Sequence, residues 1–215
     1  MNESLNRHSS SEEKRAVGEA LFDSLSELLF DKVNLISGTF AVSTATASTT
    51  DFMTQLRVID TSLRQFMRPD RKVRFRCTFY VAGTIEKADM YILVPAVYSS
   101  TVLGIVTDMH VLSSYVGIRV NAGAVSLVSW DGTADTIFST TTVLAGTTTY
   151  YLEIKSNITN AEIYLNGALI GTIPCELNKT LYSYQTFYPL FAPIRSKDGT
   201  SVNLNMESYQ ILQDK

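Results

Sequence analysis

The sequence predicts an all-β fold, an antiparallel β-sandwich, and three observations support that prediction. Short segments of alternating apolar and polar residues recur from residue 73 onward, separated by turns that contain Gly, Ser and Asp. Little helical periodicity lies between these segments, so neighbouring strands are expected to pair antiparallel. With 215 residues and 45% hydrophobic content, the chain is long enough to enclose one full core. We therefore expect one domain with an N-terminal appendage.

The clearest local pattern is a β-meander predicted over residues 150–173. Two alternating runs, residues 150–155 and 161–165, flank a polar turn, and Asn166-Gly167 then leads into a third run, residues 168–173. Asn-Gly readily adopts the positive φ angles that a tight hairpin turn requires. The segment therefore predicts three consecutive antiparallel strands.

The same alternation predicts the other strands of the sandwich. They are expected over residues 73–81, 88–97, 102–107, 115–120, 124–130, 137–144, 182–191 and 202–212. In the first of these, the apolar residues from Val73 to Val81 occupy every second position, so they face the core, and Arg74 and Arg76 lie on the opposite face. Together with the meander this makes about eleven strands.

An amphipathic helix is predicted near the N-terminus, over residues 12–32. Ser11 is placed to cap it, and two glutamates follow in the first turn, where carboxylates favour the positive end of the helix dipole. Its apolar stripe consists of Val17, Leu21, Leu25 and Leu28. The stripe must be buried, either on the chain's own sandwich or on a partner, and the sequence leaves both alternatives open.

Residues 33–72 connect this helix to the predicted sandwich. Residues 33–40 are strand-like, and residues 41–54 are mostly Ser, Thr and Ala with almost no charge, which fits an extended linker or an edge strand on a neighbour. Residues 55–67 fit either a short helix or an alternating strand. We therefore predict two parts, an N-terminal anchor of tail, helix and extended arm over residues 1–72, and a β-sandwich domain over residues 73–215.

Charge and composition exclude several classes of protein. A net charge of −3 and a pI near 5.4 argue against a general nucleic-acid binder, which needs a concentrated positive surface. No apolar run reaches the roughly 18 residues of a membrane span, and the N-terminus lacks the order of a signal peptide, so synthesis in the cytoplasm is expected. Cys77 and Cys175 lie in apolar, strand-like contexts that favour buried thiols over a disulfide.

Basic residues are concentrated before and within the strand at residues 73–81. Seven of the 18 lysines and arginines fall between positions 57 and 76. Arg74 and Arg76 share one strand face, so they either form a solvated charged surface or bind an anion or an acidic partner protein. We retain both interpretations and name the two arginines as candidate partner-binding residues.

No catalytic residues, metal ligands or cofactor sites are predicted. The two histidines, His8 and His110, have no Cys, His or carboxylate at metal-ligand spacing, and no phosphate-binding loop or nucleophile elbow occurs. Glu153 and Glu162 face outward by alternation, and we expect them to keep an exposed face solvated rather than to act as a glycosidase pair. The chain is therefore not expected to be an enzyme.

A possible glycan-binding segment lies at the turn after residues 124–130. Trp130 offers an aromatic ring for the apolar face of a sugar, and Asp131 and Asp135 offer acceptors for its hydroxyls. A core tryptophan followed by an ordinary Asp-Gly turn would give the same sequence, so both interpretations stand.

The meander also carries a resemblance to a known family. Its motif residues are Tyr151, Leu152, Ile154, Ile163, Tyr164, Leu165, Asn166, Gly167 and Gly171. This pattern resembles the concanavalin A-like lectin/glucanase jelly rolls, including laminin-G-like domains and related domains of bacteriophage virion proteins. The resemblance covers roughly residues 73–213 and implies a jelly-roll sandwich. The Glu-x-Asp-x-Glu strand of the glucanases does not occur here.

The predicted function combines this resemblance with the anchor. We expect a non-enzymatic virion structural protein, most simply of a bacteriophage, that decorates or cements a capsid or tail or forms part of a fibre. Its expected partners are other virion proteins and further copies of itself, with no nucleic acid, membrane or cofactor. The alternative is a carbohydrate-binding host-receptor module that contacts surface glycans, and a third possibility is a glycoside hydrolase.

Overall fold

The computed structural model describes residues 30–43, 52, 54–58, 72–98, 109–111, 114–157, 159–175, 186–188 and 190–214. These residues form thirteen β-strands and two short 3-10 turns, Ile85–Lys87 and Met109–Val111. The strands are β1 (Phe30–Ser43), β2 (Thr54–Val58), β3 (Val73–Gly83), β4 (Ala88–Tyr98), β5 (Ser114–Asn121), β6 (Ala124–Trp130), β7 (Asp135–Val143), β8 (Tyr150–Ser156), β9 (Asn160–Leu165), β10 (Ala168–Pro174), β11 (Thr186–Tyr188), β12 (Leu190–Ser196) and β13 (Val202–Asp214).

Two antiparallel sheets pack into a β-sandwich, as the sequence predicts. The six-stranded sheet has the order β1-β13-β3-β8-β9-β10, and the seven-stranded sheet has the order β2-β12-β4-β5-β6-β7, with β11 paired to β4. No helix within the described ranges has the length and hydropathy needed to cross a membrane.

The main core lies between the inner faces of the two sheets. In β3 every second residue from Val73 to Val81 is buried, because successive side chains of a strand point to opposite faces. Phe75 and Phe79 join Ile92, Ile118 and other large side chains from the facing sheet in one cluster. Each such side chain contributes about 1.5–3 kcal/mol through removal of apolar surface from water.

The predicted meander is confirmed as β8, β9 and β10. Asn166 and Gly167 adopt φ angles of 51° and 79°, the positive values that the hairpin turn requires. The Asn166 side chain also accepts a hydrogen bond from the backbone N–H of Tyr151 at 2.9 Å, which ties the turn to β8. At Gly171 a Cβ atom would lie 2.7 Å from Leu127 Cδ1, so glycine preserves the close approach of β10 to the core.

The sandwich begins before residue 73. β1 pairs with β13 in the six-stranded sheet, and β2 pairs with β12 in the seven-stranded sheet. Of the predicted anchor, the strand-like residues 33–40 lie within β1. For the segment over residues 55–67, the strand alternative is correct for residues 55–58, which lie in β2, and residues 59–67 lie outside the described residues. Residues 30–32, the predicted end of the helix, are strand, because pairing with β13 outweighs local helical periodicity. The rest of the predicted helix lies outside the described residues.

The strands expected over residues 88–97, 115–120, 124–130, 137–144 and 202–212 are confirmed, with bounds that differ by a few residues. Within the strand expected over residues 182–191, the structure describes β11 and β12, which pair with β4 in one register, and β12 continues to Ser196. Residues 182–185 and 189 lie outside the described residues. The strand expected over residues 102–107 lies outside the described residues. Cys77 and Cys175 are buried thiols, as predicted.

Candidate functional site

Trp130, Asp135, Tyr115 and His110 come together on the outer face of the seven-stranded sheet, and we call this group the aromatic site. Trp130 ends β6 and lies directly opposite both Tyr115 of β5 and Asp135 of β7. This register places three side chains in one row across neighbouring strands. His110 reaches the row from the 3-10 turn at Met109–Val111.

Contacts within the aromatic site fix the position of its carboxylate. His110 Nε2 contacts Asp135 Oδ2, and Tyr115 Oη donates to Asp135 Oδ1 at 3.5 Å. The rings of His110 and Trp130 are 4.5 Å apart between centroids with an interplanar angle of 37°. Asp135 is exposed, and a carboxylate has about four acceptor positions, so two contacts leave acceptor capacity toward solvent.

Asp131, the third residue predicted for glycan binding, shapes the turn between β6 and β7. Its Oδ1 accepts hydrogen bonds from the Thr133 backbone N–H at 2.8 Å, the Thr133 hydroxyl at 2.8 Å and the Ala134 N–H at 2.7 Å. These bonds hold a compact Asx-type turn. Asp131 therefore positions Asp135 opposite Trp130.

The Trp130 side chain is half-buried, so it is neither fully enclosed in the core nor fully exposed on the surface. Beneath it lies a second apolar cluster on the outer face of the sheet, formed by Phe52, Leu93, Met109, Tyr115, Val128 and Phe191, with Tyr91 and Trp130 packed against it. A cavity of about 90 Å³ beside Trp130 is lined in part by Ser129, Thr136 and Pro174. Ligand pockets usually span roughly 300–1,000 Å³, so a saccharide here would lie across the surface.

A buried ion cluster on the same outer face was not predicted from the sequence. Asp89 is 1% exposed and accepts hydrogen bonds from Arg119 Nε at 2.9 Å, Arg119 Nη2 at 3.1 Å and Arg195 Nε at 2.8 Å. The guanidinium of Arg119 lies 5.3 Å from the Tyr91 ring centroid, and that of Arg195 lies 4.5 Å from the Phe52 ring centroid. The hydrogen bond from Arg119 to Asp89 raises the pKa of Arg119.

Arg74 and Arg76 lie on the outer face of the six-stranded sheet, where Glu153 of β8 binds both. Arg76 Nε is 2.8 Å and Arg74 Nε is 3.6 Å from Glu153 Oε1, and Lys155 Nζ is 3.4 Å from Oε2. The arginines therefore have an intramolecular partner. Their predicted contact with another protein stays a prediction.

Glu153 corrects the expectation of a solvated outward carboxylate. Its side chain faces outward as predicted, yet the residue is only 8% exposed because Arg76 and its other cationic neighbours cover it. Burial alone would raise the pKa of Glu153, but the hydrogen bond from Arg76 and the charges of Arg76, Lys155 and Arg74 lower it overall. Glu162 is exposed, as expected, and accepts a hydrogen bond from Tyr164 Oη at 2.7 Å.

Two further predictions concern metal binding and the partner-binding stripe of the predicted N-terminal helix. Within the described part of the chain, no group of three His, Cys, Asp or Glu side chains is placed to hold a metal ion. The apolar stripe of Val17, Leu21, Leu25 and Leu28 lies outside the described residues, so its role in partner binding stays a prediction.

Comparisons with solved structures support the sandwich fold. No protein-family model matches the chain, and the comparison with curated proteins finds no significant relative. The structures similar to it include a botulinum neurotoxin type C structure from work on cell entry that depends on two ganglioside molecules, with TM-score 0.52 and 12% identity over 84% of this chain and 41% of that chain.

Two other structures show the same likeness. The binding domain of botulinum neurotoxin DC in complex with rat synaptotagmin II has TM-score 0.52 and 13% identity over 84% of this chain and 41% of that chain. A protein of unknown function from Shewanella oneidensis MR-1 has TM-score 0.54 and 11% identity over 86% of this chain and 75% of that chain. The chain thus spans less than half of the neurotoxin chains, and at these identities the likeness concerns the fold alone.

Proposed function

We propose that this protein is a non-enzymatic carbohydrate-binding domain and that the aromatic site contacts the sugar. The observation that carries the proposal is the direct opposition of Trp130 and Asp135 at neighbouring strand ends. A half-buried indole ring offers an apolar surface to the C–H face of a pyranose, and a fixed carboxylate beside it accepts hydrogen bonds from the hydroxyls.

The arrangement suits a shallow site with a preorganised acceptor. His110 and Tyr115 hold the Asp135 carboxylate, so a sugar would not have to order it on binding. The similar neurotoxin structures come from proteins that interact with ganglioside molecules or form a complex with rat synaptotagmin II, which gives general support to a binding role. We further propose that the sandwich is a jelly roll of the concanavalin A-like type, as the motif in β8–β10 implies.

The single tryptophan of the chain makes this proposal directly testable. Trp130 is the only tryptophan, so intrinsic fluorescence reports on the aromatic site alone. Titration of the full chain with a panel of neutral and acidic oligosaccharides is expected to change the emission for at least one of them. Asp135→Asn keeps the fluorophore and should weaken that response about tenfold, the loss expected for a buried or well-oriented charged hydrogen bond.

A matched control separates this effect from a general charge change. Asp198→Asn removes an exposed carboxylate at a distant turn and should leave the titration unchanged. Retention on immobilised glycans gives a second readout. It does not depend on tryptophan fluorescence, so it can also be applied to Trp130→Ala. If no saccharide alters the emission, or if Asp135→Asn and Trp130→Ala bind glycans as the unchanged protein does, the aromatic site is not a glycan site.

A second candidate is the structural role in a virion, favoured by uncovered apolar residues on one side of the sandwich. Ile137 and Val143 of β7 are 58% and 70% exposed, and Leu169 of β10 is 54% exposed. Among the described strands, both lie at the edges of their sheets, where exposed apolar side chains favour association. Light scattering of the full chain should then show an oligomer that Ile137→Lys disrupts. If the chain is a monomer at all concentrations, the exposed apolar residues do not support this candidate.

A further inference from the structure

The outer face of the six-stranded sheet carries a cavity that the aromatic site does not use. Its volume is about 410 Å³, within the usual range of small-ligand sites, and its lining is Lys72, Val73, Arg74, Lys155, Ser156, Asn157 and Glu162. The aromatic site belongs to the other sheet, so the two sites are independent of each other.

Strand register explains why charged side chains converge on this cavity. Arg74 of β3 lies opposite Lys155 of β8, and Lys155 lies opposite Glu162 of β9. Because directly opposite residues share a sheet face, these three side chains form one row across neighbouring strands. Lys72 is exposed immediately before β3, at the same end of the row.

Charges around the cavity do not cancel. Glu153, in the adjacent row, is bound most closely by Arg76, while its distances to Arg74 and Lys155 are 3.6 and 3.4 Å. Its single negative charge is therefore shared among three cations, and Lys72 adds a fourth. Among the lining residues that the structure describes, Glu162 supplies one carboxylate against the cations of Lys72, Arg74 and Lys155. These described residues therefore carry an excess of positive charge.

The cations are also held in place. Lys155 Nζ lies 4.1 Å from the centroid of the Tyr164 ring, and Tyr164 Oη donates to Glu162. Arg74 is half-buried and is anchored by Glu153. Fixed cations lose less conformational freedom when a ligand binds than solvated ones do.

We propose that this cavity binds a small ligand that carries an oxyanion group, a carboxylate or a sulfate. Arg74 and Lys155 would hold the anionic group, and Asn157 and Glu162 are placed to bond neighbouring hydroxyls. The volume exceeds the needs of a bare inorganic anion. An acidic monosaccharide unit and free sulfate share the recognised chemistry, and the experiment distinguishes between them.

NMR titration of the full chain tests the proposal with three probes: glucuronate, sodium sulfate and neutral glucose. Glucuronate is expected to shift the backbone amide signals of Lys155, Ser156 and Asn157, whereas glucose should not. Binding at least about tenfold tighter for glucuronate than for sulfate would identify a saccharide ligand, and equal affinities with competition would identify the oxyanion alone. Raising the NaCl concentration should weaken either interaction through screening.

Matched variants connect the binding to the named residues. Lys155→Met and Arg74→Gln are each expected to weaken glucuronate binding about fivefold, the upper effect of a partly exposed ion pair. Lys197→Met, which removes an exposed lysine near the start of the β12–β13 turn, should have no effect. An unchanged amide spectrum in the variants confirms that they remain folded.

The proposal is overturned if glucose shifts the same amides as strongly as glucuronate. Binding that survives both Lys155→Met and Arg74→Gln, or shifts confined to residues on the other sheet, would overturn it as well. None of these outcomes affects the aromatic site, whose test uses the fluorescence of Trp130.

Discussion

The two outer faces of the sandwich each hold a carboxylate between arginines, yet the two clusters are built for different tasks. Asp89 is bonded through both oxygens to Arg119 and Arg195, and aromatic rings lie against both guanidinium groups. Glu153 is contacted by three cations, and two of them, Arg74 and Lys155, also line an open cavity.

The difference shows how the same residue types can stabilise a fold or form a binding surface. Around Asp89 the two guanidinium groups bond one fully buried carboxylate and lie against Tyr91 and Phe52, and their side chains are 28% and 24% exposed. Around Glu153 three cations share one carboxylate, and each of their side chains is 34% exposed. We infer that the Asp89 cluster holds β4, β5 and β12 together, whereas the Glu153 cluster positions charges for a ligand.

Removing Asp89 is expected to have the largest effect. Asp89→Ala leaves two guanidinium groups partly buried without their shared partner, which should lower the free energy of unfolding by about 3–5 kcal/mol. Urea unfolding followed by circular dichroism measures this loss through the midpoint. A decrease below about 1 kcal/mol would show that the aromatic rings, rather than the carboxylate, hold the arginines.

Glu153→Gln is expected to have an intermediate effect. The variant keeps the size of the side chain but removes the charge that Arg76 contacts at 2.8 Å, so the free energy of unfolding should fall by about 1–2 kcal/mol. High salt should reduce this difference because the cations of the cluster are partly exposed. A loss as large as that of Asp89→Ala would remove the distinction between the two clusters.

The pH dependence of stability tests whether the charge of Glu153, and not its packing alone, stabilises the fold. Because the pKa of Glu153 is lowered in the folded state, the unfolded chain binds a proton more readily at mildly acidic pH. The stabilisation by Glu153 is therefore complete above its unfolded pKa and is lost as the pH falls through the lowered folded pKa. The acid-induced decrease in stability should be smaller in Glu153→Gln, and an identical decrease would contradict this assignment.

Sequence alone predicted local features of the two faces better than their contacts. Alternation placed Glu153 on the outer face of β8, whereas its neighbours Leu152 and Ile154 face the core. The burial of Glu153, however, depends on long side chains from neighbouring strands. Trp130 and Asp135 were both named because an aromatic ring and a carboxylate suit sugar binding and both occur in one short segment. That turn also places them opposite each other in the register, so their proximity follows from a hairpin.

The contacts that sequence reasoning missed join distant parts of the chain. Asp89 lies 30 residues from Arg119 and 106 residues from Arg195, and only the strand order β12-β4-β5 brings them together. His110 was discarded as a metal ligand, and no local pattern indicated its contact with Asp135. β1 and β2 were assigned to the anchor for the same reason, since their pairing partners are β13 and β12.

The smallest effect is expected at a third ion pair, which matches the others in distance but not in burial. Lys87 Nζ lies 2.8 Å from Asp198 Oδ2, the same distance as Arg76 from Glu153, but both side chains of the former pair are exposed. The hydrogen bond from Lys87, followed by those from Thr200, lowers the pKa of Asp198, so the contribution of Asp198 is present above its unfolded pKa and is lost on acidification.

Asp198→Asn keeps an oxygen that can accept the hydrogen bond from the Thr200 N–H and removes only the charge. Water and salt screen an exposed pair, and ordering the lysine side chain offsets much of the attraction. The urea midpoint should therefore stay unchanged at physiological ionic strength, with at most a small decrease at low salt. If this variant were as unstable as Glu153→Gln, distance rather than burial would set the strength of these pairs, and the contrast between the two faces of the sandwich would have to be explained by another property.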